Sequence, residues 1–267
     1  MVRKMIQYKS VKKKFCTGEL GMLKAYVGKK REIIRVFRKD GEFFLEAEAG
    51  IIRLIPQAEE IVRVSYTEKE KFSDVQGCHI INLAAEMTEN GRTLCSWDYT
   101  EGEREITLWT KRMKVIVNRK TGSLRFEKMD GTLLLQEAEK ESKITEEFDV
   151  YRTVINEHTK IEEVRTPDGI KRRIRESQRE FAGKRCHTKL QLTFQEDEPL
   201  FGLGQAEEGI WNLRHTTQYL HQANLKIALP ALVSGLGWGI LLSTQSPVIF
   251  QDTQYGSYLY TEADEYL

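Results

Sequence analysis

The chain has 267 residues, of which 41 are Lys or Arg and 40 are Asp or Glu, leaving a formal net charge of +1. That near-cancellation excludes a global field drawing the protein to nucleic acid or to an anionic membrane. No apolar run reaches the roughly 18 residues that a membrane span needs, and the length allows one large domain or two small ones, each with a full core.

The opening Met1-Val-Arg-Lys-Met-Ile carries charge without an apolar segment or a small-residue cleavage site, and does not read as a signal peptide. The basic clusters Lys12–Lys14 and Lys171–Arg173 are interrupted by nearby acids and read as solvated surface. Cys16, Cys78, Cys95 and Cys186 form no Cys-x-x-Cys pair, so zinc-ligand spacing is absent. No Asn-x-Ser/Thr acceptor occurs either. The economical expectation is a cytoplasmic protein with reduced, buried thiols.

Along the chain, short apolar or alternating runs are punctuated by turn residues, the signature of β-structure. Ile33–Phe37 and Glu42–Ala47 flank Asp40-Gly41, a dipeptide suited to the positive φ of a tight hairpin. Ile51–Ile55 and Ile61–Tyr66 flank Pro56–Glu60 as a second strand pair. Glu105–Trp109, Lys114–Asn118, Ser123–Glu127 and Thr132–Gln136 follow as a meander, with turns at Lys120-Thr-Gly122 and Asp130-Gly131. The spacing is that of sandwich proteins.

In Glu137–Phe148 charges predominate, while Ile144 and Phe148 stand at i and i+4, which leaves a short surface helix as an open alternative. Pro167-Asp168-Gly169 marks a further hairpin. Its arms are Val150–Ile155 with Ile161–Val164 on one side and Ile170–Ile174 on the other. Lys189–Phe194 alternates cleanly, placing Leu190, Leu192 and Phe194 on one face. Repeated strand–helix alternation is missing, against a complete barrel of βα units or a doubly wound fold. No repeat or linker divides the chain. The expectation is therefore all-β, with few short helices: one large antiparallel β-sandwich over residues 1–267, in which residues 1–100 are the less defined part.

Chemistry-bearing patterns are sparse. Gly202-Leu-Gly204 is not a dinucleotide fingerprint, because Glu207 stands where the third glycine belongs and no helical pattern follows. Gly235, Gly237 and Gly239 fail similarly at Ile240; both sets read as turn and close-packing glycines of β-structure. His79, His158, His187, His215 and His221 are scattered, with no His-x-x-x-His pair, and no metal site is expected. Ser234 lacks a nucleophile elbow, since Leu232 replaces its first glycine. Glu207-Glu208 and Asp264-Glu265 read as solvated loop acids. The run Trp211–Asn224 differs: it joins aromatic faces to amide, guanidinium and imidazole groups, the mixture that stacks on and hydrogen-bonds sugars. Its plainer reading is a connecting loop with anchoring aromatics.

Three segments in order, Phe201-Gly-Leu-Gly-Gln205, Asn224–Pro230 and Ser234–Leu242, resemble the end of the N-terminal β-domain of glycoside hydrolase family 31, the α-glucosidases and α-xylosidases. The first is similar to that family's "YGLGE/Q" and the third to its "S..GYGIL", with Trp238 in place of the usual Tyr. Upstream, Met113–Asn118, Ser123–Phe126 and Asp130-Gly131-Thr132-Leu133-Leu134 resemble its strand, turn and "DG-x-L-L" series. Glu265-Tyr266-Leu267 looks like the lead-in to "LDYYF".

The resemblance implies a mutarotase-like supersandwich that packs on a (β/α)8 barrel belonging to the same enzyme. The parent would be a retaining glycosidase acting on α-linked glucosides or xylosides, without metal or organic cofactor. Its two catalytic aspartates would lie in the barrel, which would begin where this chain stops, so no catalytic residue is expected here. The loop from Trp211 to Asn224 would reach the substrate pocket, with Trp211, Arg214, His215, Tyr219 and Asn224 as candidate pocket residues. Gln205 points towards the xylosidase-like members, and a homo-oligomer is left open. The rival readings are a free-standing carbohydrate-binding or scaffold β-module, or a mutarotase-like isomerase with a His and an acid converging on a sugar C1.

Overall fold

The computed structural model describes residues 5–6, 31–69, 72, 95–264 and 267. The sequence features at Lys12–Lys14, Cys16, Cys78, His79, Glu265 and Tyr266 lie outside the described residues. Among those described, every regular element is a strand. They fall into two compact units: one contains Tyr26–Glu146 and Cys186–Leu267, the other Glu147–Arg185 with the N-terminal strand β1 (Met5–Ile6).

The larger unit begins with a four-stranded antiparallel sheet, β2 (Ile33–Lys39), β3 (Glu42–Ala47), β4 (Gly50–Ala58) and β5 (Ile61–Thr67), paired in sequence order. Asp40 and Gly41 turn the first hairpin with φ of 51° and 83°. Both values are positive, as a two-residue turn matched to strand twist requires. The meander follows as β6 (Asp98–Glu101), β7 (Glu105–Trp109), β8 (Met113–Asn118), β9 (Leu124–Lys128) and β10 (Leu133–Glu137). These strands form half of a long sheet. Beyond β10 it continues through β14 (Gln178–Thr193), β20 (Gly256–Asp264), β19 (Val248–Thr253) and β16 (Thr217–Leu220). A three-stranded sheet, β15 (Leu200–Gln205), β17 (Ile227–Ser234) and β18 (Gly239–Leu241), completes this unit.

Alternation decides what each sheet buries. Phe43, Leu45, Ile52 and Leu54 of the four-stranded sheet pack with Ile106, Leu108, Val115, Val117 and Leu124 of β7–β9 in one core. Leu200, Leu203 and Leu232 of the three-stranded sheet pack with Leu192, Val248, Phe250 and Leu259 of the long sheet in a second core. The long sheet is thus the shared layer of two sandwiches. The expected face of Leu190, Leu192 and Phe194 joins the second core. Each of these buried side chains contributes about 1.5–3 kcal/mol relative to exposure.

The segment from Glu137 to Phe148 is not a helix. Glu137 ends β10, and Lys143–Val154 forms β11, which pairs with β1 and β14. Its charge pattern misleads because two of its charges face inward. The Gln136↔Arg125 and Glu137↔Leu192 pairings place Glu137 in one row with Leu124 and Leu192, on the core side between the two apolar clusters. There its carboxylate binds Lys143 Nζ, with the side chains only 4% and 2% exposed. Lys143 Nζ also donates to Gly122 O (3.2 Å), and Glu137 Oε2 accepts from Leu124 N (2.9 Å). Burial lowers the Lys143 pKa, and Glu137 partly restores it.

In the smaller unit, β12 (Lys160–Thr166) and β13 (Gly169–Glu176) form a hairpin at Pro167-Asp168-Gly169 as expected, but Val150–Val154 of the expected first arm belongs to β11 instead. Opposite charges pair across its two strands, as in Arg172–Glu163 (3.2 Å) and Lys160–Glu176 (2.8 Å). Such exposed pairs contribute about 0–1 kcal/mol each, so the cluster is solvated surface. Cys95 and Cys186 are buried, and neither is in a disulfide.

Candidate functional site

The Phe201–Gln205 motif is strand β15, antiparallel to β17, and its glycines are dictated by that contact. Gly202, Leu203 and Gly204 all have positive φ (103°, 62° and 100°), and the register shifts between Gly202 and Gly204. A Cβ on Gly204 would stand 2.0 Å from Ile227 O, and one on Gly202 would stand 2.4 Å from Ala231 O. The close-packing reading of these glycines holds. The bulge turns Leu203 into the second core while its neighbours lie against the β17 backbone.

Ser234 and Trp238 of the third motif converge on a residue that no motif announced. Glu198 Oε1 accepts from Ser234 Oγ and from Trp238 Nε1, both at 2.6 Å, and its Oε2 accepts from Gln195 N at 2.9 Å. Glu198 is 2% exposed. A buried carboxylate is costly unless its oxygens are bonded, and here both are. Trp238 also stacks on Phe194 at 6.1 Å between ring centroids. An indole N–H and a hydroxyl inside an apolar motif are the signal that a buried acceptor must lie nearby.

The segment Trp211–Asn224 divides into a pinned root and exposed positions. At the root, Asn212 Oδ1 accepts from Leu200 N (3.1 Å) and Arg214 N (3.2 Å), while Leu213 is buried in the second core. Arg214 is anchored inward, its side chain 12% exposed. Nε donates to Asp252 Oδ2 (2.8 Å), and Nη1 donates to the carbonyls of Gln195 (2.7 Å) and Glu198 (2.8 Å). Asp252 also accepts from His215 N (2.8 Å) and Ser257 Oγ (2.6 Å). Burial pushes its pKa up, but the bonds from Ser257, His215 N and Arg214 outweigh it and hold the carboxyl below its ordinary value.

The remaining four candidates each have a different local setting. Trp211 is 86% exposed beside exposed Ile210. His215 has φ of 61° and an exposed ring, so its backbone rather than its imidazole is fixed. Tyr219 lies in strand β16, a feature that the loop reading of this segment missed. It pairs with Ile249, whose opposite neighbour is Tyr260. On that face of the long sheet the polar groups bond one another. Tyr258 Oη donates to Gln251 Oε1 (2.9 Å), and His187 Nδ1 lies 2.7 Å from the Glu262 carbonyl. Asn224 occupies the turn between β16 and β17 beside Leu225, whose φ is 62°. Among the described residues, no three His, Cys, Asp or Glu side chains converge to hold a metal. No helix there is long and apolar enough to cross a membrane.

No protein-family model matches the chain. Solved structures do. The chain is similar to a GH31 α-xylosidase from Xanthomonas citri, with a TM-score of 0.59 and 17% identity over 81% of this chain and 20% of that one. A GH31 dextranase from Flavobacterium johnsoniae gives a TM-score of 0.59 and 11% identity, covering 90% of this chain and 26% of that one. A GH31 α-xylosidase from a soil metagenome gives 0.53 and 18%, covering 86% and 32%. The chain therefore spans a fifth to a third of the length of these enzymes. At such identities the likeness establishes architecture: this chain has the fold of one portion of GH31 glycosidases.

Proposed function

We propose that the chain is the non-catalytic N-terminal β-sandwich domain of a retaining, cytoplasmic α-glycosidase acting on α-glucosides or α-xylosides. It supports a (β/α)8 barrel that carries both catalytic aspartates and lends the loop around Trp211 to the substrate pocket. The observation that carries this reading is the match of most of this chain to only 20–32% of GH31 enzymes. Internal hydrogen bonds to three of its acids agree with a supporting role. Glu198 and Asp252 have their oxygens on internal donors, and Asp264 Oδ1 accepts from Thr244 Oγ1 (2.7 Å) and Ser246 Oγ (3.0 Å). With both oxygens so engaged, neither Glu198 nor Asp252 is held free to protonate or attack a glycosidic bond.

Within the loop, Trp211 and Arg214 have different duties. Trp211 offers an open ring for a sugar face. Arg214 ties the loop to β19 and to the Gln195–Glu198 turn. In the complete enzyme, Trp211→Ala raises KM for a p-nitrophenyl α-glycoside about 10-fold or more and changes stability by less than about 0.5 kcal/mol. Arg214→Ala destabilises by about 2–4 kcal/mol, since it leaves Asp252 buried without its cation. Michaelis kinetics and urea unfolding of both variants check this. Unchanged kinetics in Trp211→Ala removes the loop from the pocket.

A further inference from the structure

One face of the larger unit is unlike the rest of the surface. None of the residues of β15, β17 and β18 is Asp, Glu, Lys or Arg, in a chain of which those types make up 30%. The inward face of this sheet is filled by Leu200, Leu203, Leu232 and Ile240. Its outward face carries Phe201, Ile227, Leu229, Val233 and Leu241, each 39–54% exposed. The register makes them neighbours: Phe201 pairs with Val233, and Ala231 with Leu241. Isolated surface apolar residues are ordinary, but a contiguous uncharged apolar face marks an interaction site. The same sheet ends on one side in β18, an edge of three residues that carries none of the charges by which exposed edges avoid association.

We infer that the outward face of β15–β17–β18 is the docking surface for the next domain of the same polypeptide, an inference that rests on the proposed function. An apolar face without charge matches a permanent, obligate contact better than an exchangeable one, whose rim is polar. The matched enzymes hold three to five times as much chain as this fold occupies, which makes a covalently attached neighbour the occupant to expect. The surface is built on β17, whose other face is locked to the second core and whose backbone is gripped by the Gly202–Gly204 bulge, so it is presented rigidly. A rigid apolar platform loses little freedom on docking.

The test is thiol labelling of the complete polypeptide with a maleimide. Leu229→Cys and Leu241→Cys are compared with Glu103→Cys on the exposed β6–β7 turn, after subtraction of the wild-type background. All three positions are exposed in this unit. The expected result is labelling at 229 and 241 slower than at 103 by about 100-fold, unaltered on tenfold dilution, because an intramolecular cover opens only through local unfolding. Labelling at 229 and 241 as fast as at 103, in a polypeptide that does contain a barrel, overturns the docking surface and leaves the proposed function standing. Protection that vanishes on dilution assigns the face to a second copy and also overturns it. A reading frame that ends at Leu267 removes the proposed function itself.

Discussion

Lys143→Met is expected to lower the stability of the protein by about 3–5 kcal/mol, read as a fall in the urea unfolding midpoint. The substitution preserves most of the volume, so packing alone predicts a small effect. The loss comes from Glu137, whose carboxylate is left at the seam between the two cores with only the Leu124 N–H as a partner. The double variant Glu137→Gln with Lys143→Met removes both charges and keeps an amide oxygen for Leu124 N. It is expected to be more stable than the single variant by about 2 kcal/mol, because a neutral buried pair avoids the cost of an uncompensated ion. Equal losses in the single and double variants would show that volume, not charge, governs this seam.

Gly204→Ala is expected to be at least as damaging, at about 4 kcal/mol or more. Two terms add. The backbone φ of 100° is strained for any residue with a Cβ, and that Cβ would overlap Ile227 O at 2.0 Å. Gly131→Ala separates them, since Gly131 has φ of 90° but nothing within 4 Å of its Cβ. It should show the conformational cost alone, about 1–3 kcal/mol. Thermal or urea unfolding of both variants gives the difference. If the two alanines cost the same, the close approach of β15 and β17 is not what holds the glycine in place.

The parts of the fold set by local chemistry were legible in the sequence. Asp40-Gly41, Asp130-Gly131 and Asp168-Gly169 announced their hairpins because each turn places a glycine at positive φ, a conformation set locally. Lys189–Thr193 showed its alternation because one face meets the core and the other does not. The failures are non-local. Glu137–Phe148 reads as a charged surface run only when its partners are ignored, since the burial of Lys143 depends on Glu137, Gly122 and Leu124 together. Strand β16 is too short, at 4 residues, to show a period, and pairing with β19 is what makes it a strand. In the site, the exposure of Trp211 agrees with its composition, whereas the inward turn of Arg214 needs Asp252 and the Gln195 and Glu198 carbonyls, which sequence spacing does not bring together. Glu198 was invisible because its meaning lies in Ser234 and Trp238, far along the chain.

Central to the proposed function is where glycosidic bonds are broken. Purified residues 1–267, incubated with p-nitrophenyl α-xyloside or α-glucoside, are predicted to release no nitrophenol above buffer. Turnover that persists through repurification of this chain and saturates with substrate would place the chemistry inside the β-sandwich and contradict it.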